Sequence, residues 1–227
     1  HARQGTRLIT GAVVARLVGD PSGRVCALVT GEGRELPADL VVVGVGVTPR
    51  TELADATGLA VEPGPSGGVV VDEHLRTSDP RISAVGDCAA FPARQLGGWR
   101  VRVESVQNAV DQAATVAERL TGTAAPYTAV PWFWSDQFDL HLQIAGLAVG
   151  ADDTVVTGDV AAAAFSVLCF REDALVAVES VSRPADHLAA RKLLAAGARI
   201  DRATAAAPGF DLVAHLRTLR RRLPRAS

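Results

Sequence analysis

The sequence predicts an α/β fold: a first half made of open-sheet strand–turn–helix units, and a second half that is an α+β domain with an antiparallel sheet. Three observations predict it. Leu40 to Val47 is a continuously apolar run, as expected of a strand buried on both faces. Arg81 to Val85 reads as a short strand that ends in Gly86-Asp87, and a helix of 3.6-residue periodicity follows from Glu104 to Gly122. Beyond residue 139, four strand-length runs separated by turn residues read as antiparallel strands: Leu140 to Ala145, Thr154 to Gly158, Ala163 to Arg171 and Ala174 to Val181.

The elements follow in order. Ala12 to Leu17 and Val25 to Val29 alternate as a small antiparallel element, punctuated by Asp20-Pro21-Ser22-Gly23 and Gly31-Glu32-Gly33. Pro49 breaks the apolar run after Val47. Leu53 to Gly58 is a short helix, Pro63 to Gly68 a loop, Val69 to Asp72 a strand, and Phe91 to Arg100 a loop. In the helix after Glu104, Val106, Ala109, Val110, Ala113, Ala114, Val116, Ala117 and Leu120 take helical spacing; Ser105 is placed as N-cap and Gly122 as stop. Ala125-Pro126 marks a boundary. Glu172-Asp173 reads as a tight turn, Ala185 to Ala196 as a helix closed by Gly197, and Phe210 to Arg222 as a last helix. The organisation expected is 1–47, 48–125 and 126–227.

Composition narrows the function classes. Hydrophobic residues make up 48% of the 227 and charged residues 21%, ordinary for a globular protein. A net charge of -2 without a basic-aromatic pattern gives no case for nucleic acid. The longest apolar stretch, Val160 to Phe170, falls well short of the ~20 residues that span a bilayer. Cys26, Cys88 and Cys169 form no C-x-x-C pair and the five histidines are scattered, so no metal site is expected and a reducing cytoplasm is. Cys88 reads as a small buried filler and His74 as a surface residue.

The chemistry concentrates after the Arg81 strand. The C-terminal end of a strand is where open α/β sheets present ligands. Gly86 permits close backbone approach, and the Asp87 carboxylate can accept charge-assisted hydrogen bonds from ribityl or ribose hydroxyls; a Gly-Asp turn is also ordinary turn chemistry. At Ser105-Val106-Gln107 a helix N-terminus offers unpaired N–H groups and the positive dipole end to an electron-rich carbonyl. A capped amphipathic helix packed on a sheet is an equally open reading.

Four segments, LPADLVVVGVGVTPRTELA (36–54), RTSDPRISAVGDCA (76–89), ESVQNAVDQA (104–113) and PWFWSDQFDLHLQIAG (131–146), occur in one order that resembles the FAD-dependent, NAD(P)H-using ferredoxin reductases. That group, with putidaredoxin and rubredoxin reductases, belongs to the pyridine nucleotide-disulfide oxidoreductase superfamily. The resemblance implies partial FAD/NAD(P)-binding Rossmann-like domains before a C-terminal reductase domain. Neither G-x-G-x-x-G pyrophosphate turn of such enzymes is present: Gly44-Val45-Gly46 leads into Thr48-Pro49 rather than a helix. The chain therefore looks like the C-terminal half of a longer enzyme, with an N-terminal half as partner.

By resemblance, the intact enzyme takes a hydride from NADH or NADPH onto FAD and passes electrons singly to a ferredoxin-type iron–sulfur protein, serving a cytochrome P450 or ring-hydroxylating oxygenase. Asp87 and Gly86 then hold FAD, the Ser105, Val106 and Gln107 backbone meets the pyrimidine edge of the flavin, and Gly46 and Pro49 shape the crossover beside the nicotinamide. Arg50 stands where the family commonly has Asn. Glu104 faces the nicotinamide side or serves the helix dipole. Trp134 borders the flavin and the electron-transfer face, on the same side of an extended segment as Trp132; Trp132 also reads as interdomain packing, and Asp136 as a turn or cap residue. Arg217, Arg220, Arg221, Arg222 and Arg225 read as a solvated helix end or as a docking patch for an acidic ferredoxin. Two alternatives stay open: an NADH oxidase or disulfide reductase of the same superfamily, and a non-catalytic truncated binding or dimerisation module.

Overall fold

In a computed structural model, the chain is described over residues 1–64 and 67–222, with side chains to residue 219. Pro65 and Ser66 of the expected loop, and Arg225 of the basic run, lie outside the described residues. The chain divides into two compact units, His1–Val47 and Thr48–Ser227.

The first unit is a three-stranded antiparallel meander in the order β1 (Val14–Gly19), β2 (Val25–Thr30), β3 (Glu35–Pro37). Its first turn is built by one side chain: Asp20 Oδ1 accepts from Ser22 N at 2.8 Å and from Arg24 N at 3.0 Å. Leu40 to Val47 is a correction. The run forms no strand, and Val42 and Val45 are 87% and 89% exposed. A strand buried on both faces needs a neighbour on each side for its ladder, and no described residues of this unit supply one.

The second unit opens with α1 (Glu52–Ala56) and a four-stranded sheet of β4 (Val61–Glu62), β5 (Gly68–Val70), β6 (Ala89–Ala93) and β7 (Trp99–Val101). Only β5 and β6 run parallel. Two expectations fail here. Arg81 to Val85 is not a strand: only Ser83 bridges, to Arg76, and the chain then enters a single 3₁₀ turn at Gly86–Cys88. Phe91 to Arg100 is no loop, because residues 91–93 pair with 99–101 as a hairpin around a second 3₁₀ turn. Pro92 fits there because β5 pairs β6 only as far as Ala90, so that at residue 92 the ladder continues on the β7 side alone.

Next comes α2 (Val106–Leu120), capped by Ser105, whose side chain accepts from Asn108 N at 3.1 Å. Its apolar stripe faces inward only in part, through Ala109 against Gly86 and Val116 on the second core. Val106, Val110 and Leu120 are 60–74% exposed, whereas Gln107, Asn108 and Gln112 are buried. The inward face carries polar groups because the segments it meets present unpaired backbone, and a buried N–H or C=O without a partner costs about 1–3 kcal/mol.

The C-terminal sheet is wholly antiparallel, in the order β10-β11-β12-β9-β8: β8 (Trp132–Gln137), β9 (Leu140–Gly146), β10 (Asp153–Asp159), β11 (Ala164–Arg171) and β12 (Ala174–Val181). All four expected strands are there. The β11–β12 turn places Glu172 and Asp173 at φ 48° and 64°, the two-residue geometry whose twist matches a hairpin. Three helices follow: α3 (Pro184–Ala195), α4 (Arg202–Ala206) and α5 (Leu212–Arg222). α3 lies on β12 and β9, where Leu168, Phe170, Val178, Ala190 and Leu193 form the main core. A second core gathers Val71, Leu75, Phe91, Leu96 and Tyr127. Asp136 is neither turn nor cap: it sits on β8 and pairs across the ladder with His141 at 2.7 Å.

Gly146 closes β9 at φ 82°, and a Cβ there would collide with the Val176 carbonyl oxygen. Gly146→Ala is expected to lose about 2–4 kcal/mol of unfolding free energy, from strain and overpacking together, as read by urea denaturation.

Candidate functional site

The site is assembled around the opening of α2. A helix leaves its first N–H groups without intrahelical partners. The Asn108 amide goes to Ser105 Oγ and that of Ala109 to the Ser105 carbonyl, which leaves the Val106 and Gln107 amides at the helix mouth. The Gly86–Cys88 turn packs against this same helix. Gly86 is at φ 73°, and a Cβ on it would stand 3.3 Å from Ala109 Cβ, so the residue fits by being small as well as by adopting a left-handed backbone.

Two side chains fix this approach. Gln112 is fully buried and its Oε1 accepts from Gly86 N at 2.7 Å. Arg102 has only 5% of its side chain exposed; its Nη1 donates to the Asp87 carbonyl at 2.9 Å and to Glu104 Oε1 at 2.5 Å. Asp87 and Glu104 are thereby held beside the same helix end, with the Asp87 side chain exposed. Further along α2, Asn108 donates to the Val103 carbonyl at 3.0 Å and accepts from Tyr127 Oη at 3.1 Å. Burial, with the Asp111 charge, pushes the Tyr127 phenol up to about 12, so it stays a donor. Gln107 accepts from the backbone N–H of Trp132 at 3.0 Å and donates to Asp111.

A cleft of ≈ 250 Å³ lies at the helix opening, walled by Glu104, Ser105, Trp132, Phe133, Ile144 and Glu179. A second, of ≈ 390 Å³, is lined by Trp132, Trp134, Asp136, His141 and Gln143. Trp132 borders both. Trp134 is half-exposed and its ring centroid is 5.5 Å from that of Trp132, as alternation along β8 requires. Gly46 belongs to the first unit. Pro49 belongs to the second, where it lines a separate cleft of ≈ 490 Å³ with Thr51, Asp55 and Glu62. Cys88 is half-buried, its Sγ 3.6 Å from the Val85 carbonyl. His74 is also half-buried, its Nδ1 3.2 Å from the Ala125 carbonyl.

Sequence reasoning named Gly86, Asp87, Glu104, Ser105, Val106 and Gln107, which the structure brings together. It missed Arg102 and Gln112. Gln112 had a signal, since residues 105, 108 and 112 recur on one helical face. Arg102 had none beyond standing two residues before Glu104.

The chain belongs to the pyridine nucleotide-disulphide oxidoreductase family: that family model matches residues 1–113, and the "Reductase C-terminal" model matches residues 132–216. The chain is 49% identical to rhodocoxin reductase of Rhodococcus erythropolis over 93% of its own length and 48% of that protein's. It is 40% identical to putidaredoxin reductase CamA of Pseudomonas putida, over 86% of its length and 45% of that protein's. Among solved structures, the ferredoxin reductase for the CYP199A2 system from Rhodopseudomonas palustris aligns with a TM-score of 0.85 and 46% identity, over 95% of this chain and 52% of that one. The covalent putidaredoxin reductase–putidaredoxin complex aligns at 0.88 and 35%, over 96% of this chain and 51% of that one. The chain thus spans about half the length of the relatives it matches.

FAD suits the residues present. The helix-mouth amides can donate, and the buried Gln112 Nε2 has no hydrogen-bond partner among the described residues. Gln112→Leu is expected to cost about 1–3 kcal/mol by stranding the Gly86 N–H, as read by chemical denaturation.

His187, at 1% exposure, packs edge-on to Trp132. Burial, and then the Arg191 charge, lowers its pKa below the ordinary 6.5. The folded state takes up this proton later than the unfolded one, so the stabilisation is complete above 6.5 and declines as pH falls through the folded value. Between about pH 7 and about pH 5 the melting temperature is expected to drop, with a smaller drop in His187→Phe; scanning calorimetry across that range checks it.

Proposed function

We propose that this chain forms the flavin wall and electron-exit face of an FAD-dependent NAD(P)H:ferredoxin reductase, working in the cytoplasm. The observation that carries this is the convergence of the Gly86–Asp87 turn and the Ser105 helix mouth, tied together by Arg102 and Gln112. Residues 1–47 are read as the end of the NAD(P)-binding domain, 48–125 as the second half of the FAD-binding domain and 126–227 as the reductase domain.

FAD, when bound, supplies the conversion of a two-electron hydride from NADH or NADPH into single electrons. The chain's own part is position and field. Asp87 offers its exposed carboxylate to ribityl hydroxyls, and Gly86 lets the backbone approach. The Val106 and Gln107 amides point partial positive charge where a pyrimidine carbonyl gains electron density, which favours the reduced form. Glu104, oriented by Arg102, stands on the nicotinamide side, and Gly46 and Pro49 form the crossover. Trp134 borders the exit to a ferredoxin-type iron–sulfur protein; relatives of this chain are reductases in P450 and oxygenase systems, and the acceptor here is of that class.

Co-expression of the chain with the unmatched remainder of rhodocoxin reductase is expected to give a yellow complex that reduces putidaredoxin with NADH or NADPH. Asp87→Ala should weaken flavin retention by roughly tenfold or more, the loss of one charge-assisted bond. A colourless complex, or undiminished flavin in Asp87→Ala, would count against the reading.

A further inference from the structure

Trp132 borders both clefts and is held at its backbone and at its ring. Its backbone N–H is held by Gln107 of α2 at 3.0 Å. Its ring is gripped from α3 by two side chains one turn apart, which a helix places on one face. The Arg191 guanidinium carbon lies 4.5 Å from the ring centroid. The His187 ring meets it edge-on, at 5.8 Å and 63°. Trp132 also meets Trp134, at 5.5 Å and 33°.

His187 is unusual in itself. It is 1% exposed, and neither ring nitrogen has a hydrogen-bond partner among the described residues. An imidazole buried without a polar partner is costly, and a space filler would be cheaper as phenylalanine. The two rings instead meet edge to face, an arrangement that stabilises beyond the area it buries. The Arg191 contact is positive charge against the indole π system. Trp132 thus takes one cationic and one edge-to-face contact from α3, and a charged imidazole would set a second cation beside Arg191. The neutral ring is the one that fits.

We propose that His187 and Arg191 are positioning residues that clamp Trp132, and through it fix Trp134 in the orientation presented at the electron-exit face. Their role in electron transfer rests on the placement of Trp134 proposed above; the clamp itself does not. His187 is too deeply buried to meet an iron–sulfur partner, so its effect on such a partner must pass through Trp132.

Two indoles this close couple their transitions, so the pair gives an exciton couplet in far-ultraviolet circular dichroism. Trp132→Phe and Trp134→Phe in the 227-residue chain identify that signal by abolishing it. His187→Ala and Arg191→Met are each expected to reduce its amplitude by roughly half or more, and Arg191→Lys to restore most of it. Thermal melting shows that each variant is folded, and if His187→Ala does not fold, Arg191→Met decides. In the co-expressed reductase, His187→Ala should slow putidaredoxin reduction by about fivefold or more. A full couplet in folded His187→Ala or Arg191→Met overturns the clamp. A lost couplet with an unchanged putidaredoxin rate overturns its role at the exit face. A complex that binds no flavin counts against the flavin reading, while the couplet still tests the clamp on its own.

Discussion

Three buried carboxamides on the inner face of α2 hold the second unit of this protein together. Gln112 reaches the Gly86 amide, Asn108 reaches Val103 and Tyr127, and Gln107 reaches the backbone of Trp132. Each bond adds only about 1 kcal/mol net, but a lost partner leaves a buried group unpaired at about 1–3 kcal/mol. The penalty makes the set specific. One helix face is registered at once against the turn before β6, the segment ahead of the helix, and the first strand of the C-terminal sheet. A wholly apolar face would have packed with less discrimination, since apolar contact is non-directional.

The charges follow the same economy of position. Arg102 is almost fully covered, yet its guanidinium spans the Asp87 carbonyl and the Glu104 carboxylate, the planar fork that suits arginine to such a task. It orients two groups of the proposed cofactor wall and leaves the Asp87 carboxylate itself exposed. Asp72 organises the turn ahead of this region, accepting from the His74 and Arg76 amides and from Arg76 Nε, each at 2.9 Å. That turn seats Leu75, fully buried at φ 61°, in the second core. Strain at a non-glycine residue persists where the surroundings over-determine it, and here a carboxylate and a core pocket do so.

Aromatic side chains are scarce in this chain, and their concentration in β8 marks the other end of the site. Trp132 touches the α2 cleft, the second cleft and α3, so it links the helix mouth to the C-terminal core. Family membership gives this arrangement its meaning. Residues 1–113 and 132–216 match two successive parts of one kind of reductase. The apolar runs at Leu40 to Val47 and along Val106, Val110 and Leu120 have the composition of buried surface while standing exposed in the described structure.

What the sequence determined by itself is what acts within a few residues. The Ser105 cap, the Glu172-Asp173 turn, the Asp20 turn and the strand lengths of the C-terminal sheet are set by local backbone preferences and by i to i+4 hydrogen bonds, and all were legible. The Gly-Asp turn and the helix mouth were legible too, as separate pieces. Tertiary structure alone decided that α2 turns Gln107, Asn108 and Gln112 inward and leaves Val106 and Val110 exposed, that Arg81 to Val85 forms no strand beyond the Ser83 bridge, and that Arg102 bridges Asp87 to Glu104. It also decided that Trp132 is gripped from a helix more than fifty residues away. The physical reason is shared: burial and ladder pairing depend on which distant segment lies opposite, and a residue's own chemistry does not name its neighbour.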